Sequence, residues 1–363
     1  MKPRLDSIEY IRGVSMAGVV AIHIGSQYLL NPTPNIHLVA LFEIVSRFSV
    51  PIFFFISAFG TFYRMDFNEP FAYGKFLRRR FKAVLIPYLI WSTLYIVHDN
   101  WYHGWQLFPD FDYAAEIYFF GLAKYHLYFL VILIWFYLLM PPVIFLVKRM
   151  TPARLILLLA AQVAFDYWSS YSVALWQFVN SLPPDSLLQM CLKWRLNWLV
   201  LHYVFVFVLG GVLAIHSQKF FAWCEAHKKI VGATFLVTLT TLLGFYYFLI
   251  VVRNFSAEAA VNTAHQLSPP GIFYTIVASI FLFTLFQFGK LPAPLKKFLS
   301  VLGKNSYFVY LAHPFVITYL SLGLGKLGQI MTATNALIFY VATLVLTLAI
   351  KILPQKFFQV FRR

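Results

Sequence analysis

Arg12 and His23 bound a run whose residue types and spacing could do chemistry. Arg12-Gly13-Val14-Ser15-Met16-Ala17-Gly18-Val19-Val20-Ala21-Ile22-His23 places a cation at one end, an imidazole at the other, and small or apolar residues between. On a helix rising about 1.5 Å per residue, the two groups stand roughly 16 Å apart along the axis. That is about half of a ~30 Å hydrocarbon core. With Arg12 at the cytoplasmic edge, His23 hangs near the bilayer midplane, where an ionisable side chain is costly and marks a functional site by default. Imidazole titrates near neutral pH, so His23 suits acid–base work; the plainer role is a hydrogen bond to a neighbouring helix.

The next hydrophobic stretch carries Glu43 and Arg47, four residues apart and so on one helical face. Counted from the outer surface, both lie at a depth of roughly 8–13 Å, and His23 at roughly 10 Å. Adjacent antiparallel helices would therefore bring His23 beside Glu43 or Arg47. Glu43 could then orient the imidazole, or Glu43 and Arg47 could simply neutralise each other.

After this stretch comes a basic loop with Lys75, Arg78, Arg79, Arg80 and Lys82, followed by Ile86-Pro87-Tyr88. Arginine forks match phosphate oxygens, so a nucleotide-bearing donor such as coenzyme A fits here, and so do anionic lipid headgroups. Further polar groups in apolar surroundings are Ser57, His126, His202, Tyr310 and His313, the last followed by Pro314. No pair of these histidines has metal-ligand spacing and no carboxylates cluster with them, so no metal is expected.

The elements that must position these groups are membrane helices. The chain has 363 residues, 61% of them apolar or aromatic and 12% charged, with a mean hydropathy of +0.73. That is about half the charge of an average soluble chain. The expected fold is all-α, a polytopic bundle of about ten spans near 8–30, 37–63, 83–102, 125–147, 155–172, 198–215, 230–252, 271–288, 306–323 and 335–353. Gln162 and Asp166 interrupt the fifth.

The net charge of +16 would suggest nucleic acid in a soluble protein, but here the cations follow topology. With the N-terminus inside, only Lys124, Lys193, Arg195, Arg253 and Lys326 fall outside, and Arg47 falls within a span. The remaining Lys and Arg, including Lys2, Arg4, Lys356, Arg362 and Arg363, lie on the inner face. Both termini are thus expected in the cytoplasm, in a bacterial plasma membrane, with no nucleic acid bound. Cys191 and Cys224 fall on opposite faces and are not expected to pair. The first hydrophobic stretch lacks a persuasive cleavage site and is expected to be retained as a span.

Two long outer segments, 99–124 and 168–197, are rich in Trp and Tyr; the first also holds Asp99, Asp110, Asp112 and Glu116. They suit an interfacial aromatic belt or a platform for a sugar or lipid headgroup.

Taken together, these pieces resemble the membrane acyltransferase-3 family over nearly the whole chain. The resemblance rests on Arg12 and His23 at their spacing, on Ser49-Val50-Pro51-Ile52-Phe53-Phe54-Phe55-Ile56-Ser57-Ala58-Phe59, and on the basic loop running into Ile86-Pro87-Tyr88. It rests also on His126-Leu127-Tyr128-Phe129-Leu130 and on Tyr310-Leu311-Ala312-His313-Pro314. Two features depart from the family pattern. Ala58 stands where glycine usually follows the serine, and the loop's cations match the usual arginine pair only as Lys75 with Arg78 or Arg79 with Lys82.

The resemblance implies an O-acyltransferase that moves an acetyl or succinyl group from cytoplasmic acyl-CoA to a hydroxyl of a cell-surface polysaccharide, exopolysaccharide, glycolipid or lipid-linked sugar. It implies roles in transfer for Arg12 and His23 and in donor binding for the basic loop. On this reading Glu43 orients His23. His126 and the outer aromatics meet the acceptor, Ser57, Tyr310 and His313 are second-tier candidates on the donor path, and Arg47 is a further second-tier candidate. His23 would act as general base or briefly carry the acyl group. No permanently bound cofactor is expected; membrane lipid, acyl-CoA and the glycan acceptor are the partners, with a glycan synthase a candidate neighbour.

The chain is expected to form a single integral-membrane domain over 1–363 without a fused soluble domain. The rival class is a transporter or flippase for a polysaccharide or its lipid-linked precursor. It predicts no dependence on acyl-CoA and often paired repeats of broken helices, of which none is visible.

Overall fold

A computed structural model describes residues 5–105, 111–184 and 186–360, with side chains except at 111–112 and 354–360. Lys2, Arg4, Asp110, Arg362 and Arg363 lie outside the described residues, as do the side chains of Asp112 and Lys356. Among the described residues the fold is all-helical, with no strand.

The helices in chain order are α1 (Asp6–Tyr28), α2 (Ile36–Val39), α3 (Ser49–Tyr63), α4 (Tyr73–Arg80), α5 (Ile86–Tyr102) and α6 (Phe111–Phe120). Next come α7 (Tyr128–Leu138), α8 (Met140–Lys148), α9 (Pro152–Tyr171), α10 (Val173–Ser181), α11 (Leu187–Lys193) and α12 (Arg195–Trp198). The rest are α13 (Val204–Ile215), α14 (Ser217–Ala226), α15 (Lys228–Val251), α16 (Ala257–Thr263), α17 (Pro269–Phe288), α18 (Ala293–Lys326) and α19 (Ala333–Val360).

Among the described residues seven stretches are long and apolar enough to cross a membrane: Asp6–Tyr28, Ile36–Tyr63, Tyr73–Tyr102, Lys228–Val251, Pro269–Phe288, Ala293–Lys326 and Ala333–Leu353. Two bent pairs raise this to nine. α7 and α8 meet at 69°, and the stretch Val200–Ile215 meets α14 at 94°. The first bend has a local cause: Pro141 and Pro142 open α8 and cannot continue the hydrogen-bond ladder of α7. Nine of the ten expected spans coincide with these stretches, and the fifth coincides with α9, which falls outside the set.

Two stretches contain π-helical turns. Ala40–Ile44 precedes a non-helical turn through 45–48, and α3 then restarts with Pro51 as its third residue. A proline there lacks the N–H that would bond the Arg47 carbonyl and would collide with it in an unbroken helix. The Ser49 N–H, the ordinary helical donor to the Val45 carbonyl, bonds Ser46 instead, and the Val45 carbonyl accepts a 2.7 Å bond from the Tyr274 hydroxyl. Phe81–Leu85 is the second π turn, closed by Ile86 N–H donating to the Phe81 carbonyl, and Pro87 follows it. The basic stretch expected as a loop is therefore helical: α4 runs through this turn into α5. Its lysines and arginines are good helix formers, and the widened turn accommodates Pro87 without ending the helix.

By compactness the chain divides into two units. The first comprises Met1–Gly60 and Leu213–Arg363, and the second Thr61–Val212.

In the first unit α1 packs along α18 and also touches α17, α19 and the π turn Ala40–Ile44. The α1–α18 crossing is close because each helix offers a glycine to the other's backbone. A Cβ on Gly13 would stand 2.5 Å from the Leu299 carbonyl oxygen, and one on Gly303 would overlap the Glu9 carbonyl. Small residues permit such approach in membranes, where helix association draws on van der Waals packing. An aromatic layer of Phe55, Phe59, Phe220, Phe221 and Phe283 fills this unit's interior, with Phe59 and Phe283 ring centroids 4.6 Å apart.

In the second unit α7 packs against α12, α6 and α4, and its Phe136 stacks on Phe207 at 4.1 Å. α9 is inside out. Its buried residues are Gln162, Asp166 and Ser169, while Ile156 and Leu157 are exposed. Each polar rung has a partner in the stretch 195–205. Gln162 accepts from the Phe205 N–H at 3.2 Å and donates to Asp166 at 2.7 Å. His202 Nδ1 donates to Asp166 at 2.6 Å, and Arg195 Nε donates to Ser169 Oγ at 2.9 Å. The residues that interrupt the fifth expected span are thus its protein-facing side.

Among the described residues the segments 99–124 and 168–197 are largely helical, and they are joined to each other. Trp194 Nε1 donates to Glu116 at 2.6 Å and Asn197 to the Phe120 carbonyl at 3.2 Å.

Candidate active site

The first unit gathers His23, Glu43, Arg47, Tyr310 and His313. Eleven residues on a straight helix make about three turns, so Arg12 and His23 lie on one side of α1; Arg12 is exposed and His23 half-buried. The imidazole of His313, from α18, stacks on that of His23 with centroids 5.2 Å apart and planes 22° apart. His313 is fully buried, and the buried Tyr310 ring lies 6.3 Å from it one turn earlier.

The carboxylate of Glu43 projects from the π turn into this region and is 1% exposed. It accepts a 2.7 Å bond from Ser26, one turn past His23 on α1, and stands 3.4 Å from the Arg47 guanidinium. Arg47 also donates to the Val261 carbonyl of α16 at 2.9 Å. The glycine at position 25 makes the approach feasible: a Cβ there would meet Glu43 Cγ at 2.9 Å and Phe42 Cβ at 3.0 Å. Glu43 pairs with Arg47 and bonds Ser26, one turn beyond His23 on α1. Ser57 is half-buried on α3, ten residues past Arg47 in the chain.

The remaining candidates belong to the second unit. On α4 and the π turn, Lys75, Arg78, Arg79 and Lys82 are exposed, and their spacing places them along one side of the helix. Arg80 is different. It donates to Thr61 Oγ1 at 2.7 Å, and its guanidinium lies 4.9 Å from the Tyr137 ring centroid and 5.2 Å from that of Phe76. His126 is buried between the rings of Tyr95 and Tyr125, at 5.8 and 5.7 Å. The Lys124 ammonium lies 5.5 Å from the Tyr95 ring and bonds Asp99 at 3.0 Å.

Sequence reasoning missed Ser26 and the direct meeting of His23 with His313. Ser26 has a readable signal, a hydroxyl one turn from the histidine. The histidine pair has none, because its members lie at opposite ends of the chain.

Chemically, the first unit offers two stacked imidazoles, a buried carboxylate and a buried guanidinium. Imidazoles can take and return protons, and the charged pair fixes the field around them. Among the described residues no three His, Cys, Asp or Glu side chains group as metal ligands.

No curated protein and no solved structure matches the chain. A family model described as an acyltransferase domain matches residues 5–354, through both units and nearly the whole sequence. With that match, and with Arg12, His23 and His313 on helices that can cross a membrane, the chain belongs to the acyltransferase-3 family of membrane acyltransferases.

Proposed function

We propose that this membrane acyltransferase takes an acetyl or succinyl group from cytoplasmic acyl-CoA and delivers it to a hydroxyl of a cell-surface polysaccharide, glycolipid or lipid-linked sugar. The observation that carries the reading is the His23–His313 stack beside the Glu43–Arg47 pair, an acid–base group set in a helix that can span the bilayer. His23 relays the proton of the acceptor hydroxyl to the leaving thiolate, or briefly holds the acyl group. Arg12 lies on the same side of α1. The exposed Lys75, Arg78, Arg79 and Lys82 bind donor phosphates, while Arg80 braces the helix that presents them. His126 and the neighbouring aromatics receive the acceptor.

In this reading α9 is a tenth span, both termini are cytoplasmic, and the protein resides in the bacterial plasma membrane. The cation distribution supports that orientation.

The test is coenzyme A release by purified protein in proteoliposomes, from acetyl-CoA and succinyl-CoA, with and without a lipid-linked sugar. Turnover by wild type that His23→Ala abolishes is the expected result. Folded wild type that neither turns over nor binds coenzyme A would overturn the reading in favour of a transporter.

A further inference from the structure

His313 sits inside α18 with Pro314 as the next residue. A proline in a helix has no N–H for the carbonyl four residues back, so Pro314 leaves the Tyr310 carbonyl without its ordinary helical donor. That carbonyl is taken by the His313 side chain: Nδ1 lies 2.8 Å from the Tyr310 oxygen and 3.0 Å from the Val309 oxygen. Carbonyl oxygens only accept, so Nδ1 must carry a proton to make either bond. In a neutral imidazole the other nitrogen, Nε2, is then the one with the lone pair.

The ring held in this way is fully buried and is the one stacked on His23. The dipeptide therefore does two things at once. Pro314 supplies an orphaned carbonyl, and His313 spends its only neutral-state N–H on it. A buried carbonyl without a donor is costly, which favours this tautomer over the reverse.

We propose that Pro314 is a tautomer lock, and that it makes His313 the proton acceptor of the acyl-transfer site through Nε2. The inference rests on the acyltransferase reading above, in the form in which His23 briefly holds the acyl group. His23 attacks the thioester carbonyl, the carbon–sulfur bond breaks, and the thiolate is released. Nε2 of His313 then takes the proton from the acceptor hydroxyl as its oxygen attacks the acyl carbon; the bond from that carbon to His23 breaks, and the thiolate recovers the proton from the His313 imidazolium to leave as free coenzyme A. No co-reactant beyond donor and acceptor is needed. His23 stacks against the ring and is left to contact the donor.

Two measurements test this. The first is nitrogen NMR of protein labelled at histidine with ¹⁵N, in nanodiscs at neutral pH, with the His313 signals assigned from the spectrum of His313→Gln. A protonated Nδ1 and a bare Nε2 in wild type are expected. In Pro314→Ala the new Ala N–H competes for the Tyr310 carbonyl, and a mixture of tautomers is expected. A bare Nδ1 in wild type would overturn the lock.

The second is coenzyme A release at saturating acetyl-CoA. Pro314→Ala is expected to lower kcat about tenfold or more, with little change in KM for the donor. Helix formation only gains from this change, so loss of fold is not the expected cause. Full kcat in Pro314→Ala or in His313→Gln would overturn the role in transfer. The NMR result stands independently of turnover, so failure of the lock and failure of the acyltransferase reading are distinguishable.

Discussion

Ser26 and Glu43, seventeen positions apart, share a 2.7 Å hydrogen bond between α1 and the π turn of the second membrane stretch. The same carboxylate faces Arg47 at 3.4 Å, so one buried acid ties the histidine-bearing helix to a buried cation. Ser26→Ala removes one of the carboxylate's partners and should cost about 1–3 kcal/mol. Glu43→Ala leaves the guanidinium buried without its acid and should cost about 3–5 kcal/mol. Thermal unfolding in detergent ranks the two, and equal stability of Glu43→Ala and wild type would show that the pair contributes nothing.

The basic helix divides its labour. Arg80 is occupied by Thr61, Phe76 and Tyr137, whereas Arg78 and Arg79 are exposed. Arg78→Ala and Arg79→Ala should raise KM for acyl-CoA several-fold and leave the unfolding temperature near wild type. Arg80→Ala should lower the unfolding temperature. Steady-state kinetics on folded protein separate these outcomes, and a KM effect confined to Arg80→Ala would reverse the assignment.

Close approach at Gly25 leaves no room for a methyl group, since it would stand 2.9 Å from Glu43 Cγ and 3.0 Å from Phe42 Cβ, inside van der Waals contact. Gly25→Ala should destabilise by about 1–3 kcal/mol through overpacking. Because it displaces Glu43, coenzyme A release should fall as well. Unchanged stability and rate would mean that the π turn yields without consequence.

Asp166 and His202 form a buried pair in the second unit, 2.6 Å apart. A double-mutant cycle with Asp166→Asn and His202→Gln should give a coupling of about 1–2 kcal/mol. The expected kinetic signature is small, because this pair secures α9 and not the reacting groups. A coupling near zero would leave α9 held by its other rungs.

Cys191 tests orientation. It is half-buried on α11, which the proposed topology places outside, and burial raises its thiol above the ordinary value. A membrane-impermeant maleimide applied to intact cells should label it, slowly at neutral pH and faster as pH rises, since the thiolate is the nucleophile. Cys224 is buried and should resist the reagent. Labelling of Cys191 only after the cells are opened would invert the proposed topology.

Hydropathy made most of the membrane stretches legible, because each combines length with few charges. The shared side of Arg12 and His23 was legible from their spacing alone. The π turns were not, although Pro51 follows the first and Pro87 the second. A proline says that a bond is lost but not how the helix recovers it. Asp166 read as an interruption because hydropathy averages over all sides of a helix and cannot assign one side to protein and another to lipid. The partnership of His23 with His313 is set by the α1–α18 crossing, which depends on tertiary packing at Gly13 and Gly303.

The inverted character of α9 bears on how the chain is made. As a span, α9 emerges from the ribosome with Asp166 lacking its mate, and an acidic residue near a helix centre disfavours insertion by about 3 kcal/mol. His202 follows thirty-six positions later. With α9 the tenth span proposed above, biogenesis has an order: α9 settles in the bilayer only once the stretch 195–205 has been synthesised and folded against it.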